Sequence, residues 1–294
     1  MDKIAIYSRV SAAEDVVVIK NLMGILTKYG ISYLYDEHIA NILRNDYDYS
    51  PEKVFYSPED LIEQNCTCII SLGGDGTLLD TLAIVKTAQI PVLGINLGRL
   101  GFLSSVPEKR LEDAVLAIRT RQYKIESRSV LQLSSSAGAF NSFPYALNDF
   151  TVHKRDTGSM ITIDTYLNGE FFNSYWADGI ILATPTGSTA YSLSCGGPVI
   201  FPDSKSLVLT PSAPHNLNIR PIIINDESVV TFKVKGRGLN HLISLDSRYE
   251  VVDYQEAIAV HKAPFAFKLM RLNFENFIHG LREKLNWGLD TRNF

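Results

Sequence analysis

Little in this chain is extreme, and each shortage closes off a class of protein. Three cysteines among 294 residues cannot build a disulfide framework. Cys66 and Cys68 stand two apart in an apolar run, which is not a C-x-x-C pair, and no His or Cys partner has zinc-ligand spacing. Cys195 is solitary in a Gly-rich context, so all three read as small buried hydrophobes. Net charge is only −4 at pH 7, which argues against a nucleic-acid or anionic-membrane surface as the main partner. No apolar run approaches a membrane span, and MDKIAIYSRV starts directly with a strand pattern, so a cytoplasmic location is expected. Internal repeats and low-complexity tracts are also missing.

What is present is a globular composition, 46% hydrophobic and 20% charged, large enough for one sizeable core or two smaller ones. The first 120 or so residues alternate strand and helix. Strands are predicted at Ile4–Tyr7, 31–35, 67–72 and 91–95. Helices are predicted from a Ser11 cap to Gly30, over 77–88, and over 107–119 behind Pro107. Such alternation implies a parallel sheet. The polar, Tyr-rich stretch 44–58 reads as a surface loop.

After about residue 127 the period drops to two. Asn168-Gly169 between ITIDTYL and EFFNSYW is a hairpin signal. Further strands are expected at 130–134, 145–153, 179–183, 206–210, 221–224, 228–235, 241–246 and 256–269, with one short helix at 187–194. A helix over 273–286 carries Phe274, Phe277, Ile278, Leu281 and Leu285 in one stripe. It has little to pack on except the α/β half. The fold class expected is therefore an α/β N-terminal domain with a parallel sheet, plus a predominantly β, sandwich-like C-terminal domain. The chain should cross back, giving domains at 1–127 plus 270–294 and at 128–269.

The chemistry concentrates in two Gly-rich loops and one hydroxyl-rich segment. ISLGGDGTLLD, residues 70–80, follows a buried strand and leads into a helix. Gly73, Gly74 and Gly76 let backbone N–H groups approach an anion, helped by the helix that follows. It is not a Walker loop, because no Lys follows. Asp75 puts a carboxylate where a phosphate would sit. That fits a metal bridge, a base that takes a proton from a nucleophile, or a turn Asp bonding its own backbone. GINLGRLGFL, residues 94–103, repeats the loop with Gly94, Gly98 and Gly101 but lacks a dinucleotide fingerprint. Arg99 reads as a phosphate partner or a solvated surface charge, and Phe102 as a residue that stacks on a base or one that belongs to the core. In the β half, Thr184 to Ser194 is dense in hydroxyls that could bond a sugar or an amide. Thr184 and Ser188 read as helix caps. Asn148, Asp149 and Asp178 are polar residues in apolar strands and need partners if buried.

Taken together, GGDGT at 73–77, Asn148-Asp149, and DGIILATPTGSTAYSLSCGGP at 178–198 resemble the NAD kinase family over most of the chain, and GINLGRLGFL fits as well. GGDGT alone is shared with diacylglycerol kinases and phosphofructokinases, whereas the hydroxyl-rich segment is far more specific. The resemblance implies transfer of the terminal phosphoryl group of ATP, or polyphosphate, to the adenosine-ribose 2′-hydroxyl of NAD. It further implies a divalent metal, Mg²⁺, and a homodimer or homotetramer, with the first domain binding the donor phosphates and the second binding NAD. Asp75 matches the family's essential carboxylate, and Gly73, Gly74, Gly76 and Thr77 its phosphate loop. Asn148 and Asp149 match the Asn-acidic pair that contacts NAD. Asp178 and Thr186, then Thr189, Ala190, Tyr191, Ser192, Leu193 and Ser194, match positions lining the adenine and nicotinamide parts of the site. Phe102 and Ala213 are weaker transfers. Arg248 stands in Asp246-Ser247-Arg248 where the family commonly shows Asp-Gly-Gln, and Ser159 and Trp176 replace a His and an Arg of some members. Two rival readings are a lipid kinase, which needs an apolar mouth that polar 184–194 does not offer, and a non-catalytic nucleotide sensor.

Overall fold

Short apolar strands alternating with amphipathic helices build the first of two units, Met1–Glu126 together with Lys268–Phe294, and Ser127–Phe267 forms the second. This computed structural model describes residues 2–9, 13–47, 53–86, 88–98, 101–155 and 158–286. Arg99, the expected cap Ser11 and part of the 44–58 stretch lie outside the described residues.

In the first unit the order is β1 (Lys3–Ser8), α1 (Ala13–Lys28), β2 (Ser32–Asp36), α2 (Glu37–Tyr47), β3 (Val54–Phe55), α3 (Pro58–Glu63), β4 (Cys68–Leu72), α4 (Asp75–Val85), β5 (Val92–Asn96), β6 (Val106–Pro107) and α5 (Leu111–Arg119). The strands lie parallel in the order β3-β2-β1-β4-β5. On one face Ile4, Ile6, Ile70 and Leu93 meet Ile19, Leu22 and Leu26 of α1 and Val115 and Ile118 of α5. Gly30 ends α1 at φ +66, a left-handed conformation that costs glycine nothing.

The stretch read as a loop is partly ordered structure. Helix α2 runs to Tyr47, β3 extends the sheet beside β2, and Ser57 caps α3 in a capping box with Asp60. Ile39, Ala40 and Leu43 bury one side of α2.

The second unit takes β7 (Tyr123–Ser135) from residue 127 onward. It continues through β8 (Tyr145–Ala146), β9 (Asp149–His153), β10 (Ile161–Leu167), β11 (Glu170–Ala177), β12 (Gly179–Ala183) and α6 (Tyr191–Ser194). Then follow β13 (Ser206–Ser212), β14 (Ile222–Asn225), β15 (Val230–Lys235), β16 (Asn240–Leu245), β17 (Arg248–Asp253) and β18 (Ala257–Leu272). One antiparallel sheet has the order β14-β13-β12-β9-β16-β17, and β11-β10-β15-β18 forms the facing layer. Phe150 of the first stacks on Phe232 of the second with ring centroids 5.4 Å apart. The β10–β11 hairpin turns at Asn168 and Gly169, both at positive φ.

At Lys268 the chain is back in the first unit, where Leu269 pairs in parallel with Val92 of β5. Helix α7 (Phe277–Leu285) follows, capped by Asn276. Its apolar stripe is not buried along its length: Leu281 is, while Phe274 and Ile278 are 41% and 54% exposed. Among the described residues no helix is long and apolar enough to cross a membrane.

His241 on β16 gives the second unit a pH-dependent stability. It is buried, neither ring nitrogen has a hydrogen-bond partner among the described residues, and the ring stacks on Tyr254 at 5.4 Å. Burial pushes it down to about 4 from 6.5, against the charge of Asp253. Between those values the unfolded chain takes up a proton that the folded chain refuses. Its contribution is therefore present above pH 6.5 and is lost as pH falls, by about 3 kcal/mol once pH nears 4. Chemical unfolding of the parent and His241→Leu should show a smaller acid decline in the variant; equal declines would reject this assignment.

Candidate active site

The sheet order sets where a ligand collects. From β1 the chain moves outward to β2 and β3 and resumes at β4 on the other side. The carboxyl ends of β1 and β4 therefore flank the topological switch point, the usual binding crevice of open α/β sheets. The sequence 73–77 begins where β4 ends. Gly73 has φ +150, and Gly74 is the N-cap of α4. The helix starts two residues before the expected Thr77, so Asp75, Gly76 and Thr77 form its first turn, with the carboxylate at the positive end of the helix dipole.

The second Gly-rich loop holds that carboxylate. Asp75 Oδ2 accepts from the backbone N–H of Phe102 at 2.7 Å, and Oδ1 accepts from Leu103 and Ser104 at 2.9 and 2.8 Å. Gly101 permits the approach, since a Cβ there would lie 2.5 Å from Asp75 Cγ. A carboxylate has about four lone-pair sites. Three are taken, and among the described residues nothing occupies the fourth, on Oδ2. Arg9, directly after β1, forms an ion pair with Asp80 of α4, and the Tyr7 hydroxyl donates to the same carboxylate at 3.1 Å. Burial first, and then Asp80, push the Tyr7 hydroxyl well above its ordinary range. Arg9 was not read from the sequence; a basic residue just past a central strand at the switch point is the signal that could have found it.

The second unit repeats the device. Asp246, in the β16–β17 turn at φ +52, accepts from the N–H groups of Leu147, Asn148 and Asp149 at 2.9, 2.8 and 3.2 Å. Its own N–H returns a bond to Asp149 O. Asn148 is thereby fixed half-buried, its carboxamide without a protein partner among the described residues. Asp149 is buried, and desolvation, with the neighbouring charge of Asp246 second, pushes it up to about 7. Burial raises Asp246 as well, but three N–H groups oppose it. Burial thus favours the protonated form of Asp149 near neutrality, while the three N–H groups favour the charged form of Asp246. Asp246→Ala leaves three inward N–H groups unpaired and should cost about 3 kcal/mol in chemical unfolding. A loss under about 1 kcal/mol would contradict the anchoring role.

Most hydroxyls of the 184–194 segment turn inward. Thr184 donates to Leu147 O at 2.6 Å, and Gly187 packs so tightly that a Cβ would lie 2.5 Å from the carbonyl carbon of Asn148. Ser188 bonds Pro185 O and Ile200 N, and Thr186 is buried against Arg128. Ser192 is fully buried on Thr210 at 2.9 Å, which corrects its expected place on the ligand surface. The helix expected over 187–194 is a 3₁₀ turn at Gly187–Thr189 and then α6, with Ala190 between. Thr189, Ala190 and Leu193 are half-buried, and Tyr191 and Ser194 are exposed.

Around Ser212 three expected residues come together. The Tyr191 hydroxyl lies 3.5 Å from Ser212 Oγ, and Asp178 N–H donates to Ser212 O. Exposed Ala213 follows at φ +46, a strained conformation for alanine and common at functional sites. Asp178 is ion-paired with Lys154 at 2.6 Å, and the His215 ring packs on Trp176 at 4.2 Å. Lys154 carried no sequence signal, and His215 stood beside Ala213 in SAPH. Arg248 does not join them. Its guanidinium donates to the carbonyls of Phe143 and Tyr145 and packs over the Phe143 ring, so it clamps that segment rather than facing a nucleotide.

Residues 13–123 match the family model of the ATP-NAD kinase N-terminal domain, and residues 147–272 match that of the ATP-NAD kinase C-terminal domain. The chain belongs to the NAD kinase family. An NAD kinase of Cytophaga hutchinsonii is 41% identical over 291 residues, 98% of this chain and 99% of its own. An NAD kinase of Bacteroides fragilis is 39% identical over 293 residues, 99% of each chain. Two solved structures share the fold. Yeast NADH kinase complexed with NADH superimposes with TM-score 0.87 at 24% identity, covering 99% of this chain and 89% of that one. An NAD kinase from Archaeoglobus fulgidus in complex with ATP gives TM-score 0.73 at 23% identity, covering 97% and 98%. Membership in the NAD kinase family leaves neither the lipid-kinase nor the sensor reading with support.

Proposed function

We propose that the protein transfers the terminal phosphoryl group of ATP to the 2′-hydroxyl of the adenosine ribose of NAD, giving NADP and ADP. The observation that carries the mechanism is the Asp75 carboxylate at the first turn of α4, gripped by three N–H groups with one lone pair of Oδ2 open. That lone pair accepts the 2′-hydroxyl proton as the ribose oxygen bonds to the terminal phosphorus. The bond from that phosphorus to the bridging oxygen breaks, and ADP leaves with the electron pair. Such a loose transfer needs alignment and charge neutralisation above all. Gly74, Gly76 and Thr77 supply N–H groups and the helix N-terminus for the donor phosphates, while the Gly73 N–H is held by Ile95 O and its positive φ shapes the turn. Asn148, Asp149, Asp178, Tyr191 and Ala213 hold NAD, with Thr189, Ala190, Leu193, Ser194 and Phe102 as further contacts and Thr186 supporting the turn.

Among the described residues no three His, Cys, Asp or Glu side chains cluster as a metal cage, and three of the roughly four lone-pair sites of Asp75 are taken by N–H donors. The residues do not fit a protein-held ion. Mg²⁺ would instead be carried by the nucleotide phosphates as MgATP and would supply shielding of their charge. The family resemblance supports a cytoplasmic homodimer or homotetramer. The test is to incubate pure protein with ATP, Mg²⁺ and NAD and to detect NADP with an NADP-specific dehydrogenase. Binding of NAD with no NADP formed would reject the reading.

A further inference from the structure

We propose that Lys284 of α7 is a further catalytic residue, its ammonium contacting the phosphate chain of the donor. The proposal rests on the phosphoryl-transfer reading above. It concerns a residue outside both segments matched by the family models.

A cavity of about 670 Å³ lies within the first unit, and Phe102, Arg110, Arg271, Phe274 and Lys284 contribute to its wall. Most charges there are already matched. Arg110 is paired with Asp113 and stacks on Phe274, Arg271 is paired with Glu275 and Glu126, and His279 faces Glu283 at 3.4 Å. Lys284 differs. Its Nζ sits 4.2 Å from the centroid of the Phe102 ring, and no carboxylate hydrogen-bonds to it among the described residues.

Phe102 is the residue whose N–H holds Asp75 Oδ2. Cation and carboxylate therefore flank one residue, and Asp75 is the strongest charge favouring the ammonium. An aromatic face compensates part of the desolvation of a cation but does not neutralise it. An anion does, and the anion this reaction brings to Asp75 is an oligophosphate. ATP and inorganic polyphosphate present the same chain, and a flexible point charge suits a phosphate that moves during transfer.

Burial, and more weakly Arg271, push Lys284 down to about 8, against Asp75, Glu275 and Glu283. The free enzyme thus holds this charge below about pH 8 and loses it above. Arginine at the same position stays charged throughout.

The test uses the full chain as parent, Lys284→Met and Lys284→Arg. For each, kcat and KM for MgATP, KM for NAD, inhibition by inorganic tripolyphosphate against ATP, and a thermal melt are measured. Lys284→Met should lower kcat/KM for ATP about 10-fold or more, the scale of a charge-assisted hydrogen bond. It should weaken tripolyphosphate equally and leave KM for NAD and the melt unchanged. In the parent kcat/KM for ATP should decline above pH 8, and in Lys284→Arg it should not. A Met variant within twofold of the parent overturns the proposal, as does an Arg variant with the parent's pH profile. A loss confined to ATP, or tripolyphosphate that does not compete at all, places the contact off the phosphate chain and also overturns it. A parent that makes no NADP is a different result, and it removes the reaction itself.

Discussion

Asp75→Asn should fold like the parent and turn over about 100-fold more slowly or worse, the scale of a positioned general base. The geometry explains why fold and rate separate. An Asn amide oxygen can keep the N–H groups of Leu103 and Ser104, so the loop stays docked. The amide NH₂ then faces the N–H of Phe102, donor against donor, at a cost of about 1–2 kcal/mol. That is tolerable in a unit with the large core around Ile6, Ile70 and Leu93. The open lone pair on Oδ2, however, is gone, and nothing remains at that point to accept the ribose proton. Near-parental kcat, measured by NADP formation on a variant with a parental melt, would remove Asp75 from the chemistry.

Gly101→Ala should cost nearly as much without touching a single polar side chain. The new Cβ would lie 2.5 Å from Asp75 Cγ and overlap Oδ1, so either the carboxylate or the loop must move. Either movement breaks the three-bond cradle, and misplacing a reacting group by about 1 Å costs on the order of 100-fold. Gly98, in the same loop, has no atom within 4 Å of its would-be Cβ. Gly98→Ala should therefore retain parental kinetics. Equal behaviour of the two variants in kcat would show that the cradle does not set the rate.

These two variants also mark how far the sequence could be read. Asp75 stood out because a carboxylate in a Gly-rich strand-to-helix turn is unusual for an anion site. Its cradle did not, because the donors are backbone N–H groups of Phe102, Leu103 and Ser104, and backbone carries no residue signature. Only Gly101 hinted at a close approach. The same holds for Asp246 and the 147–149 N–H groups.

The hydroxyl-rich segment was legible as special but not in its directions. Ser192 and Tyr191 are neighbours in one short helix, yet one is buried on Thr210 and the other is 41% exposed. Among the elements, α2 was hidden by Asn and Asp in EHIANILRNDY, which are poor helix formers, and only tertiary burial of Ile39, Ala40 and Leu43 shows its face. Strand β17, RYEVVD, is a mostly exposed edge with a single buried residue and so lacks period-two patterning. Lys284 carried no sequence signal, and only α7 places it over the Phe102 ring.

The most direct measurement follows the label of terminally labelled ATP, with Mg²⁺, into NAD and into 2′-deoxy-NAD, for the parent and Asp75→Asn. Label should appear in NADP from NAD and not in the deoxy analogue, with labelling by the variant at least about 100-fold slower. Label entering 2′-deoxy-NAD, or labelling of NAD by Asp75→Asn at the parental rate, would contradict transfer to the 2′-hydroxyl with Asp75 as its base.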